Sequence, residues 1–524
     1  VELGPDGHIY VVTGNGVGVP EQTDLNSPYR NWADDVLVSS ENTYVPGGCI
    51  ARTNHTGTKW ELVCGGLRNP YDIAFNLEGE LFTGDADSEA DVGTHWYRPA
   101  RVSHIVSGGE YGWRCDTGPW IRYGKWPDHY PDSLGSVVDI GRGSPAGITF
   151  GTGARFPAQY QKALYICDWQ TATVHAVHLE HDGASYRGKL ESFLTGRGLP
   201  LTDLVVHPDG TMYFTIGGRK TQSGLFRIRY VGSESIVSVG PSDEPRAAQA
   251  RQLRRHLEAF HVQKNPRAVD EAWPCLASSD RAIRYAARIA VERQDVTLWQ
   301  DRAFQEPCTV TSLQAMLALA RVGDPKLQKH VLGRLNQLPL EQLSEAQIRD
   351  LVRVYSLAFI RMGGKRDDVS GSVIARLGRL FPSADSRLNR ELCQLLVYLD
   401  AQVVLDGALE LIRTATSAEE KSFYIAELSR ITCDWSFSQR RMFFSLTGAD
   451  SLVEVHGNER TMGLIHGSRQ SVAARLSDVD REALVEAIDG LDEAKLEPTP
   501  EAEPESQRVV VKDWQVEEVL NLVN

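Results

Sequence analysis

Leu204-Val205-Val206-His207-Pro208-Asp209-Gly210-Thr211-Met212-Tyr213 is an apolar strand, a Pro-Asp-Gly turn and a second apolar strand. An Asp-Gly turn between β-rich runs is a strong local hairpin signal. The pattern also stands at Leu3-Gly4-Pro5-Asp6-Gly7-His8-Ile9-Tyr10 and at Ile73-Ala74-Phe75-Asn76-Leu77-Glu78-Gly79-Glu80-Leu81-Phe82. A longer form joins Gly147-Ile148-Thr149-Phe150 to Ala163-Leu164-Tyr165-Ile166. Each copy is followed by a strand that mixes apolar and basic residues, such as Arg101-Val102-Ser103-His104-Ile105 and Leu225-Phe226-Arg227-Ile228-Arg229. Hairpins repeating at this spacing predict the blades of an all-β propeller over residues 1–232. About four blades leave a ring open, and Val1 falls inside a strand-turn-strand pattern. The sequence is therefore read as a fragment that lacks its N-terminal part.

After Gly232 the pattern changes. Residues 233–245 are a Ser/Gly/Pro/Val linker, and residues 246–495 carry helical spacing. Asp280 or Ser279 is the expected N-cap of a helix running to Val291. Further helices are expected over 309–322, 347–362, 391–398, 401–414 and 417–431. Helix pairs with short polar joints predict an α-helical repeat array of the HEAT kind, with an irregular bundle as the alternative. Residues 496–507 form a Pro/Glu linker, and residues 508–524 begin a further helical segment capped by Asp513.

Composition narrows the function. The 524 residues carry a net charge of -14 with 42% hydrophobic residues. That balance argues against nucleic acid, whose phosphates need a basic footprint. No apolar run is long enough to span a bilayer. None of the eight cysteines stands in Cys-x-x-Cys or Cys-x-x-Cys-His, so this chain holds no zinc ribbon and no c-type haem site. Cys49 and Cys64 are either a cross-strand pair or buried thiols.

The chemistry-bearing stretch is Leu67-Arg68-Asn69-Pro70, followed by Asp85-Ala86-Asp87-Ser88-Glu89-Ala90-Asp91 and Arg98. A cationic fork, an amide and alternating carboxylates suit an anionic or metal-linked ligand. The other reading is a solvated acidic loop compensated by Arg98 and Arg101. His95, His104, His175 and His178 read as surface or strand-edge residues, and Trp96, Trp113, Trp126 and Trp169 as packing. Asp168 occupies the same position in its hairpin as Asp85.

The run Gly66-Leu67-Arg68-Asn69-Pro70-Tyr71-Asp72-Ile73-Ala74-Phe75, with Asp85–Asp91 and Trp96-Tyr97-Arg98-Pro99 after it, resembles the glucose/sorbosone dehydrogenase propeller family. Ser107-Gly108-Gly109-Glu110-Tyr111-Gly112-Trp113, Gly124-Lys125-Trp126-Pro127, Pro131-Asp132-Ser133-Leu134 and Ala282-Ile283-Arg284-Tyr285-Ala286-Ala287-Arg288 extend the resemblance. More narrowly, the chain is similar to planctomycete-type exported proteins that join a propeller, HEAT-like helices and a cytochrome c module. The resemblance implies a six-bladed ring and quinone-dependent (PQQ-type) oxidation of a sugar or alcohol. It implies that Arg68 and Asn69 hold the cofactor, with Arg68 as the catalytic polariser, and that Asp85, Asp87, Glu89 and Asp91 hold calcium. Export to the periplasm or cell surface, and electron transfer to a haem module outside this chain, are implied in the same way. The sequence departs from the family at Ala86-Asp87, where a Gly-Pro is usual, and at Thr202-Asp203, where an arginine is missing. The family's general-base histidine falls before Val1. A non-catalytic propeller–solenoid that binds glycans or proteins is the competing function.

Overall fold

The computed structural model describes residues 1–489 except 21, 30–46, 87–97, 117–121, 242–243, 366 and 449–458. The first part of the chain is a succession of antiparallel meanders. The first comprises β1 (Glu2–Leu3), β2 (Ile9–Thr13), β3 (Gly48–Thr53) and β4 (Trp60–Leu67). The second comprises β5 (Ile73–Phe75), β6 (Leu81–Asp85) and β7 (Ala100–Ile105). Here β8 (Gly109–Glu110) crosses back to lie parallel to β4, and β9 (Trp113–Asp116) and β10 (Arg122–Lys125) pair as a separate hairpin. Strand β11 (Val138–Gly141) then completes the second sheet beside β7. The third comprises β12 (Pro145–Phe150), β13 (Leu164–Asp168), β14 (Thr173–Asp182) and β15 (Ser185–Thr195). The fourth comprises β16 (Leu201–Val206), β17 (Met212–Gly218) and β18 (Thr221–Ile228).

The expected turns close these hairpins. Gly7, Gly79 and Gly210 sit at φ of 78°, 73° and 85°, the left-handed region that glycine enters without a Cβ penalty. Asp6 and Asp209 brace their turns by accepting from the backbone N–H of His8 and Thr211.

Alternation then gives each sheet two apolar faces, and neighbouring sheets bury them against each other. Ile50, Cys64 and Leu67 of the first sheet pack with Ile73, Leu81 and Ile105 of the second. Phe82, Val102 and Ile140 meet Ile148, Leu164 and Ile166 of the third. Tyr165, Cys167 and Val174 meet Leu204, Met212 and Phe214 of the fourth. This stacking of small sheets is compatible with propeller blades, and no closed ring is formed among the described residues.

From Pro245 the described residues are mostly helical, and before it the described helix is a single turn, Ala158–Gln161. Asp280 caps the helix Arg281–Glu292 by accepting from Ala282 and Ile283 N–H. Helix Thr309–Val322 ends at Gly323, as its sequence predicts. Helix Glu345–Arg361 begins ahead of its expected start because Ser344 and Gln347 form a capping box. Helix Ser386–Tyr398 also begins earlier, capped by Asp385.

The chain divides into compact units Val1–Val404 and Leu405–Asn524. Within the first, helices dock onto the sheets through buried polar groups. Tyr285 Oη accepts from Glu110 N–H at 3.0 Å and donates to Gly108 carbonyl oxygen at 3.1 Å. Arg353 binds Asp132 through Nε and Nη2 at 3.0 and 2.9 Å, with its guanidinium over Trp126 and Tyr130. Glu80 accepts from His104, Arg254 and Arg255. In the second unit Arg440 pairs with Asp480, and Arg469 donates to Phe444 carbonyl oxygen and Thr447.

Candidate functional site

Arg68 and Asn69 form the turn between β4 and β5. Pro70 has no N–H and pushes Asn69 toward an extended backbone, so this corner cannot continue a ladder. The two donors it does have converge on one carboxylate. Asp85, at the end of β6, accepts from Arg68 N–H at 3.0 Å and Asn69 N–H at 3.0 Å through Oδ1. Arg101, directly across from Asp85 in the β6–β7 register, donates Nε and Nη2 to Oδ2 at 3.1 and 2.9 Å. Asp85 and Arg101 are each only 1% exposed.

A further segment closes on the turn from the first sheet. Asn15 N–H donates to Arg68 carbonyl oxygen at 2.9 Å. A Cβ on Gly14 would meet the Asn69 carboxamide oxygen, so a side chain there would push the Asn69 side chain aside. Arg68 is half-buried, Asn69 is exposed, and the neighbouring Tyr71 is 64% exposed. The turn thus offers a guanidinium, an amide and an aromatic ring from one fixed backbone.

Asp85 was expected among the metal ligands. Its Oδ1 accepts from two backbone amides and its Oδ2 from Arg101. Asp87, Glu89 and Asp91 lie outside the described residues. No group of three potential ligands fit for a metal ion occurs among the described residues.

Asp168 repeats the device one sheet later. At the end of β13 it accepts from Ser144 N–H at 3.1 Å, on the linker into β12, and from Gln170 and Thr171 N–H. Thr173 stands across from it where Arg101 stands across from Asp85. Asp168 Oδ2 has no hydrogen-bond partner among the described residues, and His175 Nε2 is 4.0 Å away. Burial pushes the His175 imidazole below its usual range, against the attraction of the Asp168 carboxylate.

His104 and His175 depart from the expected surface or strand-edge placement. His104 is buried, with Nε2 at 2.8 Å from Glu80 and Nδ1 at 2.9 Å from Ser185 Oγ. His175 is buried too, while His178 is half-buried against Glu191 at 2.6 Å. His95 and Trp96 lie outside the described residues. Burial opposes ionisation of Glu80, but the His104 hydrogen bond and Arg254 hold it well below the usual carboxylate range. Trp169 donates to Gly217 carbonyl oxygen at 2.8 Å and carries the Arg219 guanidinium 5.0 Å above its ring. Cys49 and Cys64 are free thiols, and burial raises both above the ordinary thiol range.

No family model matches the chain. A stretch of 134 residues is 28% identical to the HIPL2 protein of Arabidopsis thaliana, covering 23% of this chain and 18% of that protein. Among solved structures, a glucose dehydrogenase-type oxidoreductase from Thermus thermophilus is similar at 23% identity and a TM-score of 0.30. That match covers 43% of this chain and 63% of the other. The PQQ-bound aldose sugar dehydrogenase of Streptomyces coelicolor is similar at 15% identity and a TM-score of 0.29, with 43% and 59% covered. The chain thus spans about three fifths of these structures and under a fifth of the plant protein.

Proposed function

We propose that this chain is part of an exported propeller-type dehydrogenase that oxidises a sugar or related alcohol with pyrroloquinoline quinone. The carrying observation is the Arg68–Asn69 turn, whose two backbone amides are clamped to Asp85, a carboxylate that is itself paired with Arg101. A planar guanidinium on a fixed turn suits a carbonyl or carboxylate oxygen better than a point charge does. In this reading both side chains face the channel of a six-bladed ring. The quinone supplies the hydride acceptor when bound. Arg68 stabilises negative charge on an oxygen placed against it, and Asn69 orients that oxygen through its amide. Asp87, Glu89 and Asp91 are the oxygen donors proposed for calcium, with Asp85 anchoring the base of their loop. The helices are read as HEAT-like, and electrons pass to a cytochrome c module outside this chain.

The test uses full-length protein reconstituted with calcium and the quinone. Dye-linked oxidation of at least one member of a sugar panel, lost in Arg68→Ala, is the expected result. No quinone binding and no dye reduction with any sugar would overturn the reading in favour of a glycan- or protein-binding scaffold.

A further inference from the structure

We infer that Asp85 and Arg101 together are positioning residues for Arg68 and Asn69, setting those side chains through their backbone amides; this rests on the reading of Arg68 and Asn69 as the cofactor-facing pair. Asp85 takes both N–H donors that the turn presents before Pro70. Without such an acceptor the corner could relax and carry both side chains with it. Arg101 holds the same carboxylate through Oδ2, so Asp85 is restrained from the turn on one side and from β7 on the other.

The arginine is not needed merely to join two sheets. At the next joint Asp168 makes the equivalent contact to Ser144 with Thr173 in the arginine's place. That carboxylate keeps one oxygen without a hydrogen-bond partner among the described residues. Arg101 is itself imperfectly satisfied, because its buried Nη1 has no partner among the described residues. A buried ion pair with an orphan donor is a poor device for stability alone, since desolvation offsets much of its attraction. It is a good device for holding one geometry, and it stands at the joint that carries the Arg-Asn pair.

The experiment is hydrogen–deuterium exchange over a peptide covering residues 67–71, read beside thermal stability and the dissociation constant for pyrroloquinoline quinone. Asp85→Asn keeps an acceptor but loses the ionic partner of Arg101; Arg101→Lys keeps the charge but loses the fork. We expect Arg68 and Asn69 to exchange about tenfold faster in Asp85→Asn, with a smaller rise in Arg101→Lys. Exchange elsewhere in β4 to β6 should stay unchanged, quinone binding should weaken in both variants, and Asp168→Asn should leave residues 67–71 as in the wild type. Uniformly faster exchange across the two sheets would mean a structural role only. Unchanged exchange at 67–71 in both variants would overturn the proposal. If Asp85→Asn does not fold, the folded Arg101→Lys protein decides by the same peptide. Wild-type protein that binds no quinone, with variants that still loosen residues 67–71, would overturn the dehydrogenase reading and leave the positioning role intact.

Discussion

The hydroxyl of Tyr285 fills a gap in the backbone of a loop 175 residues earlier: it accepts from Glu110 N–H at 3.0 Å and donates to Gly108 carbonyl oxygen at 3.1 Å. Both backbone groups are buried, so the helix Arg281–Glu292 supplies hydrogen bonds that the sheets do not make for themselves.

Tyr285→Phe removes that hydroxyl while keeping the ring. Two buried backbone groups lose their partner, at about 1–3 kcal/mol each before any water enters. The melting temperature should fall by several degrees. A change within error would mean that water substitutes fully for the hydroxyl.

Asp132 and Arg353 test the same join with charge. Asp132 is fully buried and is held by a bidentate guanidinium. Burial opposes its ionisation, and Arg353 overcomes this to hold it well below the usual carboxylate range. Asp132→Ala strands a buried cation and should cost about 3–5 kcal/mol. Arg353→Met alone should cost a similar amount, and the double variant should recover part of the loss. Denaturant unfolding of all four proteins measures the coupling; strict additivity would sink it.

Stability should depend on pH through two neighbours at the helix–sheet join. Burial pushes Glu258 up to about 7 from 4.5, against the attraction of Arg254. Its folded form is therefore favoured below pH 4.5 and loses that advantage as pH rises to 7. Burial pushes His261 down to about 3 from 6.5, so its contribution is complete above 6.5 and is lost as pH falls. Between 4.5 and 6.5 the two slopes oppose each other. Glu258→Gln should steepen the acid loss and raise stability near pH ~7.5 by about 3 kcal/mol at most. A melting profile parallel to wild type across roughly pH 4–8 would contradict this.

The thiols should label in an order set by exposure. Cys308 is exposed, and hydrogen bonds with Thr311 lower its thiol below the ordinary range. Cys49, Cys64, Cys167 and Cys393 are buried. Iodoacetamide should modify Cys308 first in native protein, with the buried four reacting on unfolding. Early loss of Cys49 or Cys64, read by peptide mass spectrometry, would place one of those strands in an opened state.

The hairpins were readable because an Asp-Gly turn and alternating apolar residues are local signals, and the same holds for Asp280 as a cap and for Gly323 as a stop. Arg68 and Asn69 stood out for the same reason, with Pro70 beside them. What held them was less visible. Asp85 looked like one carboxylate in an acidic loop, and only strand register sets it across from Arg101. The burial of His104 is not legible because alternation alone does not say which face meets a neighbouring sheet; its partner Glu80 lies just after a turn, and Arg254 follows Glu80 by 174 residues. The runs Ser107–Trp113 and Ala282–Arg288 are far apart in sequence, and nothing local ties Gly108 of the first to Tyr285 of the second.

That last contact also sets an order of events during synthesis. Glu110 leaves the ribosome 175 residues ahead of Tyr285. At about 5–20 residues per second, the loop waits roughly 10–35 seconds for the hydroxyl that completes it. Throughout that interval the nascent sheets carry an unfinished edge, and chaperone capture or premature termination before the helix would meet the chain in that state.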